Sequence, residues 1–144
     1  MEFGNTPACI QADHMVSSTA SQYGGSWGPC YTMSSHAALG VVRAGVATLK
    51  GTGVRINCIS AGQIDVGDSS LGLDLKGTTA QLPPAQIQSS EVQKSTIGLE
   101  RAGLPAEVGR VAGFFASGFS SYITGVNLVV DGGASVMNPL MVPI

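Results

Sequence analysis

Leu39-Gly40-Val41-Val42-Arg43-Ala44-Gly45-Val46-Ala47-Thr48-Leu49-Lys50 runs into Gly51-Thr52-Gly53 and then into Val54-Arg55-Ile56-Asn57-Cys58-Ile59. In the first part Leu39, Val42, Val46 and Leu49 recur at steps of 3, 4 and 3 residues, which gathers them on one apolar stripe of a helix. The spacing predicts a helix from Tyr31 to Lys50. Gly51 and Gly53 stop it, because glycine accepts the left-handed turn that follows a helix end. The last part reads as a strand entered directly from that helix.

Outward from this unit the alternation continues. Upstream, His14-Met15-Val16 leads into Ser17-Ser18-Thr19, a short strand that breaks into the Gly/Ser-rich loop Gln22 to Pro29. Downstream, Val66 to Gln93 is a long polar stretch with Pro83-Pro84, the kind of segment that serves as a functional lid or a mobile region. Pro105-Ala106-Glu107-Val108 opens a second helix, with proline suited to the first turn and Glu107 near the positive end of the dipole. It runs through Val111, Phe114 and Phe115, and a final strand, Val126 to Val130, ends at Asp131-Gly132-Gly133. Strands alternating with helices predict an α/β fold with a parallel sheet. No internal repeat is visible.

Composition narrows the function classes. The chain has 144 residues, 44% of them hydrophobic, which is enough for one domain with a real core. Charged residues make up only 11%, so the surface is either polar and uncharged or engaged in a large protein contact. A net charge of −2 supplies no footprint for nucleic acid. No positive charge precedes Arg43, so no basic leader region is read, and no apolar run is long enough for a membrane span. Cys9, Cys30 and Cys58 are odd in number and lack CxxC spacing, which indicates neither a disulfide framework nor a zinc site. The chain is expected to be cytoplasmic, without a metal.

Four blocks, in order, resemble short-chain dehydrogenases/reductases. The first is Val16-Ser17-Ser18 followed by Tyr31-Thr32-Met33-Ser34-Ser35-His36-Ala37-Ala38, with Ser18 thirteen residues before Tyr31. The others are Gly53 to Gly62, Arg101-Ala102-Gly103-Leu104-Pro105-Ala106-Glu107-Val108, and Ser121-Tyr122-Ile123-Thr124-Gly125 running into Val129-Val130-Asp131-Gly132-Gly133. The wording around Tyr31 is similar to a plant secondary-metabolism branch whose members oxidise terpenoid, lignan or hormone-precursor alcohols with NAD. The resemblance covers about residues 15–137, between an undefined segment 1–14 and a tail 138–144.

The resemblance implies the C-terminal half of a Rossmann-like doubly wound parallel sheet, about three strands with flanking helices. It implies NAD(P)-dependent oxidation of an alcohol or reduction of a ketone on a small substrate, with Ser18 holding the substrate oxygen and Tyr31 moving its proton. Gly62 and the backbone of Ile64 would meet the nicotinamide as a partial site. The last strand and the helix after Tyr31 imply a homo-oligomer, or a hetero-oligomer with full-length relatives. An alternative expectation is a catalytically silent oligomerisation partner; a third is non-redox acid–base work on an apolar ligand by Ser18 and Tyr31.

The pattern is departed from in two ways. The family's dinucleotide site lies in its first half, where a Gly-rich turn and a helix N-terminus meet the pyrophosphate. Gly24-Gly25-Ser26-Trp27-Gly28 precedes no βαβ unit and falls in the loop between Ser18 and Tyr31. The chain therefore reads as a truncated homologue, weak or inactive in hydride transfer alone. Second, Ser35 occupies the position of the family's Lys, whose charge lowers the tyrosine pKa. Without it, about one tyrosine in a thousand is ionised at pH 7. Lys50 stands ~28 Å along the helix axis and cannot substitute; Lys76 or Lys94 could reach back from the later loop. Ala61 for the usual Pro and Val66 for the usual Thr are smaller departures.

The remaining residues offer less. Ser18, His36 and Asp13 or Asp131 could compose a hydrolase triad, but no G-x-S-x-G elbow accompanies them. Asp13 and His14 fall where the family has apolar strand residues and could blunt an exposed sheet edge. Tyr23 and Trp27 could line an apolar ligand site, while Met33, Met137 and Met141 read as core or interface filler.

Overall fold

The computed structural model describes residues 11–23, 28–66 and 90–137. Three parallel strands form one sheet: β1 (Ala12–Ser18), β2 (Arg55–Ala61) and β3 (Asn127–Val130), in the order β1-β2-β3. Three helices accompany them: α1 (Pro29–Thr48), α2 (Ser90–Thr96) and α3 (Pro105–Ala116). This is the α/β architecture expected, with three parallel strands and flanking helices.

Strand alternation sorts the side chains into two layers. Met15 pairs in register with Cys58, and His14 with Asn57. Met15, Ile56 and Cys58 therefore share one face, where Leu39 and Val42 of α1 pack on them. Those two residues belong to the stripe read from the sequence, and both are buried. The opposite face carries His14, Arg55 and Asn57 toward α3, where the His14 ring lies 6.3 Å from that of Phe115. Cys58 is a core thiol, its pKa pushed up by burial, and Cys30 is exposed.

Arg55 ties the layers together. It starts β2, is buried, and has no carboxylate partner among the described residues. Its guanidinium instead meets the chain just past α3: Nη2 donates to the carbonyls of Phe115 (2.6 Å) and Ser117 (3.5 Å), and Nη1 donates to Ser120 Oγ (3.1 Å) and the Ile123 carbonyl (3.3 Å). The last carbonyls of a helix lack intrahelical donors and carry partial negative charge, which suits a cation. Two residues on, Asn57 donates to the Ile123 carbonyl (3.0 Å) and accepts from the Val126 amide (3.2 Å). Arg55 and Asn57 thus set where the chain turns into β3.

Element ends differ from the sequence reading in identifiable ways. β1 begins at Ala12, because the Arg55 amide donates to the Gln11 carbonyl and the ladder extends from there. α1 begins at Pro29, where Gly28, with φ 85°, provides the entry. β2 starts one residue later than Val54 and continues to Ala61, and β3 starts at Asn127. α2 was not expected within the polar stretch: none of its residues is buried, so it has no apolar stripe to read. Residues 67–89 of that stretch lie outside the described residues, as do Cys9, Trp27, Lys76 and Met141. Asp13 and His14 do point to opposite faces, but His14 turns inward against Phe115 and leaves only Asp13 exposed. β1 has β2 as its single neighbour among the described strands.

Two outcomes follow for stability. Arg55→Ala orphans several buried acceptors, each costing about 1–3 kcal/mol. A urea titration is expected to show a loss of roughly 3 kcal/mol, with Arg55→Lys recovering only part because an ammonium cannot span the fork. Glu100 has φ 57°, the one non-glycine residue with positive φ among those described. Glu100→Gly relieves left-handed strain and is expected to raise stability by roughly 0.5–1 kcal/mol after the entropy of glycine is subtracted; an unchanged or lowered urea midpoint would contradict this.

Candidate active site

In parallel α/β sheets ligands bind outside the carboxyl ends of the strands. Ser18 is the last residue of β1, and its Oγ accepts the Ala20 amide (3.2 Å), capping the 3-10 turn Thr19–Ser21. That turn packs against α1. The first turn of α1 carries Tyr31, 37% exposed, and its second carries Ser35, 6% exposed. Ser35, expected from the resemblance to stand where the family has a lysine, is an enclosed residue. Lys94 lies exposed on α2.

The carboxyl end of β2 supplies the next group. Gly62 follows Ala61, donates its amide to the Val130 carbonyl (2.9 Å) and presses on the end of β3. A Cβ on Gly62 would stand 2.5 Å from Asp131 Cβ, so only glycine fits. Ile64 forms a parallel bridge with Gly103: the Gly103 amide donates to the Gln63 carbonyl (3.0 Å), and the Asp65 amide donates to the Gly103 carbonyl (2.8 Å). In a parallel bridge these flanking groups face the partner, so the N–H and C=O of Ile64 itself face the other side. The backbone role expected of Ile64 is geometrically open.

Beside it lies a shallow depression of about 100 Å³, lined by Gln63, Ile64, Leu99, Arg101, Glu107 and Asp131 among others. Ligand pockets usually exceed about 300 Å³, so the depression formed by the described residues is too small to enclose a dinucleotide. Asp131 caps the turn after β3: Oδ1 accepts the Gly133 amide (2.9 Å) and Oδ2 the Ser135 amide (2.7 Å). Burial raises its pKa, but the hydrogen bonds from Ser135 and Gly133 outweigh that and leave it lowered. Its oxygens are committed to the turn. His36 Nδ1 meets the Thr32 carbonyl of its own helix at 2.9 Å, on the exposed side. A Ser/His/Asp triad from Ser18, His36 and Asp131 is thus not what these residues compose.

Three features went unread in the sequence. One is the bidentate pair in which Arg101 Nη1 and Nη2 donate to Glu107 Oε2 (2.9 Å) and Oε1 (2.8 Å). Glu107 Oε2 also accepts the Leu104 amide (2.8 Å), reaching back over the start of α3. Glu107 three residues after the helix entry was the available signal. The second is the Asp131 turn, for which Asp-Gly-Gly was the signal. The third is a buried string of hydroxyls beneath Ser18, which has no sequence signature.

The Arg101 partner holds the Glu107 pKa down to about 2 from an ordinary 4.5. The carboxylate therefore favours the folded state fully above pH 4.5, and that contribution is lost as the pH falls toward 2. The carboxyl carbon of Glu107 is expected to titrate in NMR with a midpoint of about 2, moving up toward the ordinary value in Arg101→Gln. A midpoint near 4.5 in the unaltered protein would contradict the pairing.

Comparison with known proteins agrees with this fold. A family described as Enoyl-(Acyl carrier protein) reductase matches residues 14–135. The (21S)-21-acetoxyl-apo-melianone synthase SDR of Melia azedarach is 32% identical over 124 residues, covering 86% of this chain and 42% of that protein. The (+)-borneol dehydrogenase 1 of Salvia officinalis is 31% identical, covering 86% and 44%. A solved structure of 4-hydroxyisoleucine dehydrogenase complexed with NADH superposes with a TM-score of 0.67 at 22% identity, covering 90% of this chain and 48% of that one, a likeness of fold. The chain spans under half the length of these relatives. With residues 14–135 matched and the strand–turn–helix order of its sheet reproduced, this chain belongs to the short-chain dehydrogenase/reductase family.

Proposed function

We propose that this chain is the substrate and proton-transfer part of an NAD(P)-dependent oxidoreductase that interconverts a small alcohol and its ketone. What supports the reading is topology: Ser18 ends β1, Tyr31 lies in the first turn of α1 and Ile64 follows β2, so all three belong to the carboxyl end of one parallel sheet. Ser18 Oγ already accepts an amide, so its own proton is left to donate to a substrate oxygen. Tyr31 then takes or gives the alcohol proton. Its efficiency suffers because Ser35 brings a hydroxyl where an ammonium would favour tyrosinate. Gly62 and Ile64 offer a place for the nicotinamide end of NAD or NADP. The described residues hold no Gly-rich turn for the pyrophosphate, so the whole dinucleotide does not fit them and no hydride step is assigned to this chain alone. The homologues named from Melia and Salvia favour a substrate from specialised plant metabolism.

A second reading rests on exposed apolar groups: Phe119 is 91% exposed, and Tyr122 fully so, beside the last strand, with Met33 and Val41 exposed on α1. These suit a silent partner that docks on complete relatives through α1 and β3.

Tryptophan fluorescence of the isolated chain, with Trp27 as its lone reporter, is expected to show no quenching up to millimolar NAD or NADP. Combined with the dinucleotide-binding half of a relative, the chain is expected to oxidise a secondary alcohol, followed by nicotinamide absorbance. Ser35→Lys should raise that rate at pH 7 by roughly tenfold or more, and Tyr31→Phe should lower it about a hundredfold or more. Undiminished turnover in Tyr31→Phe overturns the catalytic reading. Association with full-length relatives without turnover supports the silent partner.

A further inference from the structure

Beneath the Ser18 turn runs a string of hydrogen bonds that joins three elements. Ser21, the last residue of the turn, has its Oγ 2.9 Å from Ser60 Oγ on β2. Ser60 donates to Asn127 Oδ1 on β3 at 2.7 Å. Ser21 and Ser60 are both buried, Ser60 completely.

The proton count fixes the direction. An amide oxygen only accepts, so the single Ser60 proton is committed to Asn127. Ser21 must then donate to Ser60, whose oxygen also stands 3.9 Å from the Cys58 thiol. In this arrangement each hydroxyl proton has one destination, while Asn127 Nδ2 is buried without a partner among the described residues. A buried hydroxyl deprived of its partner is left unsatisfied at a cost in free energy, so the string resists sliding.

Its position gives it a consequence for the site. The three-residue turn is held at one end by Ser18 Oγ accepting the Ala20 amide, and at the other by Ser21 on Ser60. A 3-10 turn has poor hydrogen-bond geometry and little stability of its own. We infer that Ser60 is a positioning residue: through Ser21 it holds the Thr19–Ser21 turn against the sheet, and the turn in turn holds the Ser18 hydroxyl in one rotamer. This deepens the reading of Ser18 as the group that meets a substrate oxygen and rests on that reading for its functional meaning. Reactive groups need their supporting shell fixed to well under an ångström, and here that shell is Ser21, Ser60 and Asn127.

The test uses the full chain and reads the Ala20 amide by hydrogen exchange and chemical shift, so it does not depend on turnover. Ser60→Ala and Ser21→Ala are each expected to speed Ala20 exchange roughly tenfold or more, and the double variant to go no further than either alone. Ser60→Cys, close in size with a weaker donor, is expected to restore part of the protection. Val42→Ala serves as control: it hollows the core under α1 without touching the string and should leave Ala20 unchanged. Ala20 exchange unmoved in Ser60→Ala, or moved equally by Val42→Ala, overturns the inference. Should Ser60→Ala fail to fold, Ser21→Ala, which lies off the sheet, decides the matter by the same readout. Full turnover in a Ser18→Ala enzyme would instead remove the catalytic reading and leave the string standing.

Discussion

A buried guanidinium organises this fold. Arg55 enters the sheet at the first residue of β2, and its two Nη groups donate to the carbonyls of Phe115, Ser117 and Ile123 and to the Ser120 hydroxyl, while its buried Nε has no partner among the described residues. Isolated, such a charge could not be buried; here the open carbonyls at the end of α3 and the turn beyond it supply the counter-field. The bargain is reciprocal, because those carbonyls would otherwise be orphaned as well. Ser120 Oγ gathers the same turn from within, donating to the Phe115 carbonyl at 2.9 Å. The planar fork of arginine matches this crowd of acceptors in a way that a single ammonium does not.

From that clamp the rest of the sheet is set. Asn57 carries the chain from Ile123 to Val126, so β3 enters parallel to β2 and in a single register. Its far end then meets Gly62 and closes over with Asp131, where the missing Cβ lets two backbones approach. Gly132 and Gly133, both with positive φ, turn the chain so that the Gly132 carbonyl accepts the Leu99 amide at 3.0 Å. The Leu99–Gly103 segment is thereby laid beside Ile64. One interaction at the amino end of the strands and one close approach at the carboxyl end together decide where the candidate site lies.

The chemistry available there is uneven. Ser18 Oγ accepts the Ala20 amide, Tyr31 is exposed in the first turn of α1, the Ile64 backbone faces away from Gly103, and the buried hydroxyl of Ser35 brings no charge. A phenol without a neighbouring positive charge is a sluggish base at neutral pH. The chain belongs to the short-chain dehydrogenase/reductase family and spans under half the length of the relatives compared. No helix among the described residues is long and apolar enough to cross a membrane.

Taken alone, the order of residues determined the alternation of strand and helix, the burial of Leu39 and Val42, the glycine stops and the four blocks that carry the family likeness. Those are local or periodic properties, and an apolar stripe or a glycine announces itself within a few residues. Helix α2 escaped because it buries nothing, so it leaves no stripe. Only the folded arrangement decided that Arg55 meets the end of α3 some sixty residues on, that His14 turns inward to Phe115, and that Ser21, Ser60 and Asn127 form one string. Each of these joins groups far apart along the chain, two by hydrogen bonds and one by a ring contact. A contact of that kind has no period and no spacing along the chain, so it becomes visible only once the fold has brought its members together.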